Sequence, residues 1–192
     1  MRLAGLYSER VVGTFDDLLG AGRYAKHRGT GYVLLGLPGF AAPPWTPPQD
    51  GWHIDGVHFH HHVNSCEQGL IGLYLYTDIE HGGGGTVVRP GSHRITARIL
   101  NEAEPEGLAH HELSRRVAEQ VQDLPVREVI GNAGDMVVMH PHLYHGSSDN
   151  VHERIRIASN MCIGLHEPMN LHRANKAEYS PVELAIVNAL SF

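Results

Sequence analysis

The sequence predicts a mainly β domain, an antiparallel barrel or sandwich with flanking helices. Three observations point there: several short apolar runs, glycine- and proline-rich turns between them, and one charged helical insertion in place of regular strand–helix alternation. At 192 residues the chain is expected to form a single domain, residues 1–192, long enough to bury a core unaided.

Residues 31–37 form an apolar run between glycine and proline, which predicts a buried strand. The four prolines around Trp45 and Thr46 forbid regular structure and predict an extended loop, with Trp45 as a cap over the core. In residues 70–77, Leu73 and Leu75 alternate with Gly72, Tyr74 and Tyr76, the pattern of a strand with two distinct faces. Gly82 to Gly85 then make a permissive turn into Thr86, Val87 and Val88, so a hairpin is expected. A phosphate loop is a poorer reading, because neither a lysine nor a strand-to-helix context accompanies the glycines. Leu113, Val117 and Val121 fall at helical spacing and place an inserted helix over residues 111–123. Residues 126–130, 135–140 and 154–163 read as three further strands, and Pro181 opens a final helix.

Composition narrows the function. The net charge of −6, without a basic stripe, argues against nucleic-acid binding. No apolar run is long enough to span a membrane, and the first residues do not form an unbroken apolar leader. Two cysteines, Cys66 and Cys162, make a disulfide framework unexpected, so a soluble cytoplasmic protein is the expectation. The unusual figure is 16 histidines.

Among them, Trp52-His53-Ile54-Asp55 offers a nitrogen and a carboxylate two positions apart, on one side of an extended chain. A second histidine from a distant strand would complete a two-histidine, one-carboxylate face for Fe(II) that leaves three positions open. By itself a His-x-Asp is weak, since a chain this rich in histidine supplies nearly one by chance. The candidates for the third ligand are His58, His60, His61, His62, His140, His142 and His145. His58, His60 and His62 share a strand parity and read as a solvated or substrate-facing patch, with zinc as the lesser alternative. Position alone does not choose among the seven.

Two further stretches accompany this one. Residues 134–150, GDMVVMHPHLYHGSSDN, resemble the second metal motif of the phytanoyl-CoA dioxygenase-like family of Fe(II)/2-oxoglutarate-dependent oxygenases, and WHID resembles its first. Residues 77–93, TDIEHGGGGTVVRPGSH, resemble the family hairpin that ends in Pro-Gly-Ser-His, where His93 is assigned to the turn. The resemblance covers roughly residues 50–165 in order, and fewer residues precede His53 than is usual in the family.

It implies a double-stranded β-helix, the jelly-roll or cupin-like barrel, with Fe(II) held by His53, Asp55 and His145. It also implies 2-oxoglutarate as cosubstrate, its far carboxylate taken by Arg156, eleven residues after His145, and assisted by Ser147. An arginine suits that task because its planar fork binds a carboxylate through two bonds and never deprotonates. Tyr76 is a further candidate for cosubstrate binding; Arg154, on the same strand face as Arg156, is expected to make a surface ion pair with Glu153 or another acid. The implied activity is hydroxylation of a small-molecule metabolite by O2, with release of succinate and CO2. Asp55 occupies the position a halogenase would need for halide. The rival readings are a non-catalytic metal-binding barrel and a cupin-like zinc enzyme.

Overall fold

The structure, a computed structural model, describes residues 6–25 and 29–191; the opening residues read above for a leader lie partly outside these. In chain order they form α1 (Glu9–Leu19), β1 (Tyr32–Gly36), β2 (Leu70–Leu75), β3 (Thr86–Val88), α2 (Ser92–Glu102), α3 (His110–Gln120), β4 (Arg127–Glu128), β5 (Met136–Met139), β6 (His145–Ser147), β7 (Arg156–Ile163) and α4 (Pro181–Leu190). Antiparallel pairing builds two sheets, β1-β7-β2-β5 and β4-β3-β6. The mainly β, antiparallel expectation with flanking helices holds. Among the described residues the strands do not close into a barrel.

Side chains alternate across each strand, so the central pair β2 and β7 has two faces with different tasks. Ile71, Leu73, Leu75 and Ala158 point toward the smaller sheet and form an inter-sheet core with Met139, Val88 and Leu143. Leu70, Tyr74, Met161 and Ile163 point the other way, into a core shared with Phe15, Leu19, Leu100 and Ile186 of the helices. Strand β2 has the two distinct faces its alternating residues suggested, and both are buried along its whole length. Fully burying a side chain such as Met161 or Ile163 contributes about 1.5–3 kcal/mol.

Strand β1 reverses the other way. It was expected to be buried, yet Tyr32, Val33 and Leu35 are exposed, because it is an edge strand paired only with β7. The expected β2–β3 hairpin is also absent: the two strands belong to different sheets. The physical reason is Glu128. Its carboxylate accepts hydrogen bonds from the Gly82 and Gly85 backbone N–H groups at 2.8 and 3.0 Å, folding the glycine loop onto β4. A side chain at Gly85 would lie 2.5 Å from the Val129 carbonyl, which is why glycine stands there. Trp45 covers this loop rather than the core, packing against His81 at 4.7 Å between ring centroids.

The insertion is two helices rather than one. Helix α2, which the sequence reading did not assign, buries Thr96, Ala97, Ile99 and Leu100, and α3 ends a turn earlier than expected, at Gln120. Arg89 closes the end of α3, its guanidinium donating to the carbonyls of Val121, Gln122 and Leu124 while lying 5.1 Å from the Trp52 ring centroid. Helix α1 was likewise unassigned, although Ser8 caps it and Phe15 and Leu19 sit on one face. The predicted α4 starts at Pro181 behind a capping box of Ser180 and Glu183. Burial pushes the Glu183 carboxyl up, but hydrogen bonds from Arg23 and the backbone outweigh it and bring the group to about 2. Both cysteines are free thiols. No helix among the described residues is long and apolar enough to cross a membrane.

Candidate metal centre

His53 and His145 are brought together by backbone pairing. The His53 N–H donates to the His145 carbonyl at 2.8 Å, and the His145 N–H returns a bond to His53 at 3.0 Å, forming an isolated antiparallel bridge beside β6. Residues paired this way project to the same side, and the two imidazole centroids stand 4.6 Å apart. The glycine that follows His145 permits the approach: a Cβ on Gly146 would lie 3.0 Å from the Gly51 carbonyl oxygen. Segment His145 to Ser147 is thus strand β6, which the sequence reading did not assign.

Asp55 follows two residues after His53, in a bend rather than a strand. Its Oδ1 lies 3.3 Å from His53 Nε2 and its Oδ2 3.5 Å from His145 Nε2. One ligating atom from each of the three residues lies within 4.8 Å of the others, and this is the one such group of His, Cys, Asp or Glu among the described residues. The histidine tautomers follow from their neighbours. His53 Nδ1 contacts the Gly51 carbonyl at 2.9 Å and His145 Nδ1 the Leu143 carbonyl at 2.8 Å. Carbonyls only accept, so both Nδ1 atoms carry the proton and both Nε2 lone pairs point toward Asp55. His145 Nε2 is shut off from solvent with no hydrogen-bond partner. A divalent cation between the three would satisfy it, and the donor set of two imidazoles and a carboxylate suits iron.

The electrostatics agree. With no cation between them, the Nε2 atoms can instead take up protons that face Asp55. Burial pushes the carboxyl up, but His145, His53 and Asn160 together outweigh burial and hold it well below the usual carboxylate range. In that metal-free state the proton shared with Asp55 raises His53 against its own burial.

The other predicted residues separate. Arg156 begins β7 and is 3% exposed; its Nη2 donates to Thr86 Oγ1 at 3.1 Å, while its Nε is buried without a partner. Desolvation lowers its pKa, a sign that its charge is poorly compensated. Ser147 lies directly opposite Thr86, hence on the Arg156 side, at an exposed strand end. Tyr76 is not brought to this side. Its hydroxyl pairs with Ser159 Oγ at 2.9 Å, and Ser159 precedes Asn160 on β7, so Tyr76 lies on the helix-covered face. Arg154 is exposed and makes no ion pair among the described residues.

The histidine-rich run 58–62 forms a loop, with His58 and His60 exposed and His61 tucked against the Gly56 carbonyl at 3.0 Å. His140 and His142 lie beyond the end of β5, and His140 packs against His93 in the first turn of α2. Two residues were missed. Thr86 receives Arg156, and Asn160 Nδ2 donates to Asp55 Oδ2 at 2.7 Å. Asn160 carried a readable signal, being a polar residue four positions after Arg156 and therefore on the same face of one strand.

The fold resembles that of several solved structures. The solved structure of EvdMO1 superposes with a TM-score of 0.50 at 16% identity, covering 84% of this chain and 32% of that one. EctD from S. alaskensis, solved with 2-oxoglutarate and 5-hydroxyectoine, gives 0.49 at 19%, covering 95% and 58%. The epimerase SnoN, solved with Fe3+, α-ketoglutarate and nogalamycin RO, gives 0.47 at 18%, covering 81% and 52%. The chain spans between a third and three fifths of the length of these proteins, and at such identities the likeness concerns the fold. No curated protein sequence matches the chain. Residues 4–158, which contain His53, Asp55, His145 and Arg156, match the sequence profile described as phytanoyl-CoA dioxygenase (PhyH), and the chain belongs to that family.

Proposed function

We propose that the protein is a non-haem Fe(II)- and 2-oxoglutarate-dependent oxygenase that hydroxylates a small-molecule metabolite. The observation that carries this reading is the convergence of His53 Nε2, His145 Nε2 and an Asp55 oxygen on one point, with both imidazole protons turned away from it. These three residues would hold the iron, and family membership supports that choice of metal. Iron loaded with 2-oxoglutarate supplies O2-dependent oxidation, consuming the keto acid to succinate and CO2.

The chain's own residues supply position. The paired backbones of His53 and His145 fix two ligands as a unit, and the carboxylate of Asp55 contributes the negative charge that retains a divalent cation. Arg156 takes the far carboxylate of 2-oxoglutarate. Its unpartnered Nε and lack of an ion pair among the described residues fit a guanidinium that meets its anion only when the cosubstrate binds. Ser147 and Thr86 lie on the same side and can donate hydroxyl hydrogen bonds to that anion. The two antiparallel sheets then correspond to the two walls of a double-stranded β-helix.

Anaerobic addition of Fe(II) and then 2-oxoglutarate should produce a metal-to-ligand charge-transfer band, and admission of O2 should yield succinate. Zinc retained in preference to iron, with no succinate, would sink the oxygenase reading and favour the zinc alternative.

A further inference from the structure

The three candidate ligands are not held equally. His53 and His145 are locked by reciprocal backbone bonds, and each ring is turned by a carbonyl. Asp55 has no ladder of its own. Its chain neighbour Ile54 is tied through its N–H to Ser114 Oγ at 3.2 Å, which fixes the backbone and does not itself stop the carboxylate from rotating. What stops it is Asn160, whose Nδ2 donates to Asp55 Oδ2 at 2.7 Å.

Asn160 can do this because its own place is overdetermined. It lies in the interior of β7, opposite Tyr32 of β1 and Leu73 of β2, so hydrogen-bonded ladders flank it on both sides. A carboxylate can meet a cation through one oxygen or through both. The Asn160 Nδ2, 2.7 Å from Oδ2, donates a hydrogen bond to that oxygen and engages one of its lone pairs, favouring Oδ1, 3.3 Å from His53 Nε2, as the donor toward the metal point.

Resting on the metal reading above, we propose that Asn160 is a positioning residue that keeps Asp55 a one-oxygen ligand, preserving the third open position on the metal. Without it, Asp55 turns, and its second oxygen closes onto the ion.

Mn(II), which is redox-stable in air and whose bound waters are counted by proton relaxation, tests this on the whole chain. Asn160→Leu removes the donor at similar volume, and Asn160→Ala serves if the leucine variant does not fold. Either should bind Mn(II) about 10–100-fold more weakly than wild type, the usual loss for a group that orients a ligand. The bound ion should also show lower water-proton relaxivity, as the freed oxygen displaces a water. Asp55→Ala is the control and should lose the ion. If it binds Mn(II) as wild type does, the metal reading falls and the role of Asn160 with it. If Asp55→Ala loses Mn(II) while the Asn160 variants keep wild-type affinity and relaxivity, Asn160 is only an inter-sheet tie, whatever happens to the unfolding temperature, and the proposal is overturned.

Discussion

Two groups of histidines lie near one another in this chain, and the contrast between them shows what a metal site requires beyond imidazoles. His53 and His145 turn their Nδ1 protons to carbonyls and aim Nε2 at a carboxylate. His93, His140 and His142 pack at comparable distances, with centroids 5.2 and 5.1 Å apart, but their nitrogens do not converge with a carboxylate. His140 Nδ1 accepts the His142 backbone N–H, which uses the lone pair that a ligand would need. Burial and then the neighbouring His93 push His140 down to about 3, and burial pushes His142 well below its ordinary value. One group converges on a carboxylate in a way that suits a cation; the other is arranged to stay neutral. In a chain with 16 histidines, the partner of the second ring nitrogen separates the two.

The largest effect expected from this contrast is on metal binding. His53→Ala, Asp55→Ala and His145→Ala should each abolish stoichiometric Fe(II) binding in an anaerobic calorimetric titration, whereas His140→Ala should bind it nearly as wild type does. Loss of iron in His140→Ala with retention in His145→Ala would reverse the roles of the two groups.

Next is the cation that accompanies the first group. Arg156→Ala should raise the apparent KM for 2-oxoglutarate a hundredfold or more, since removing one partner of a buried charge pair costs about 3–5 kcal/mol. The exposed Arg154 should tolerate alanine with little change. Steady-state kinetics of succinate release would show it, and a larger effect at Arg154 would transfer the assignment.

The smallest effect concerns the neutral group. A histidine that stays neutral in the fold but titrates at 6.5 when unfolded binds fewer protons folded than unfolded below that value. Stability therefore falls as pH drops from about 6.5 toward 3, by about 1.4 kcal/mol per pH unit for each such histidine. Urea unfolding of metal-free protein at several pH values should show this slope, and it should be shallower in the His140→Leu/His142→Leu double variant. An unchanged slope would mean that these rings already carry protons in the fold.

How much of this was legible in the sequence depended on whether the cause was local. The final helix, the strands around Val137 and Ile157, and the His-x-Asp carry their signals within a few residues, so they were readable. Resemblance to the family motif, in which the histidine before Gly-Ser is the ligand, and not position, selected His145 from seven histidines. The failures were tertiary. The exposure of β1 depends on its being at a sheet edge, and nothing in residues 31–37 announces an edge. The hairpin across Gly82 to Gly85 failed because Glu128, more than forty residues later, captures the loop. Tyr76 lies on the helix-covered face with Ser159, and which face of β2 the helices cover is a tertiary choice that residues 70–77 do not announce. Asn160 was overlooked although its parity with Arg156 was available.

The candidate site is divided between the two sheets. His53 and His145 extend the three-stranded one, while Asn160 and Arg156 belong to the four-stranded one. A cation gripped from one wall, and a dicarboxylate gripped from the other and chelating that cation, would act as a rivet through the domain. Loading then becomes part of folding: at a hundredfold excess over its dissociation constant a ligand adds about 2.7 kcal/mol to the loaded state. The spacing between the walls would also work as a caliper. Any substitution that slides one sheet against the other, however far from the iron, would alter the fit of the cosubstrate before it altered the metal.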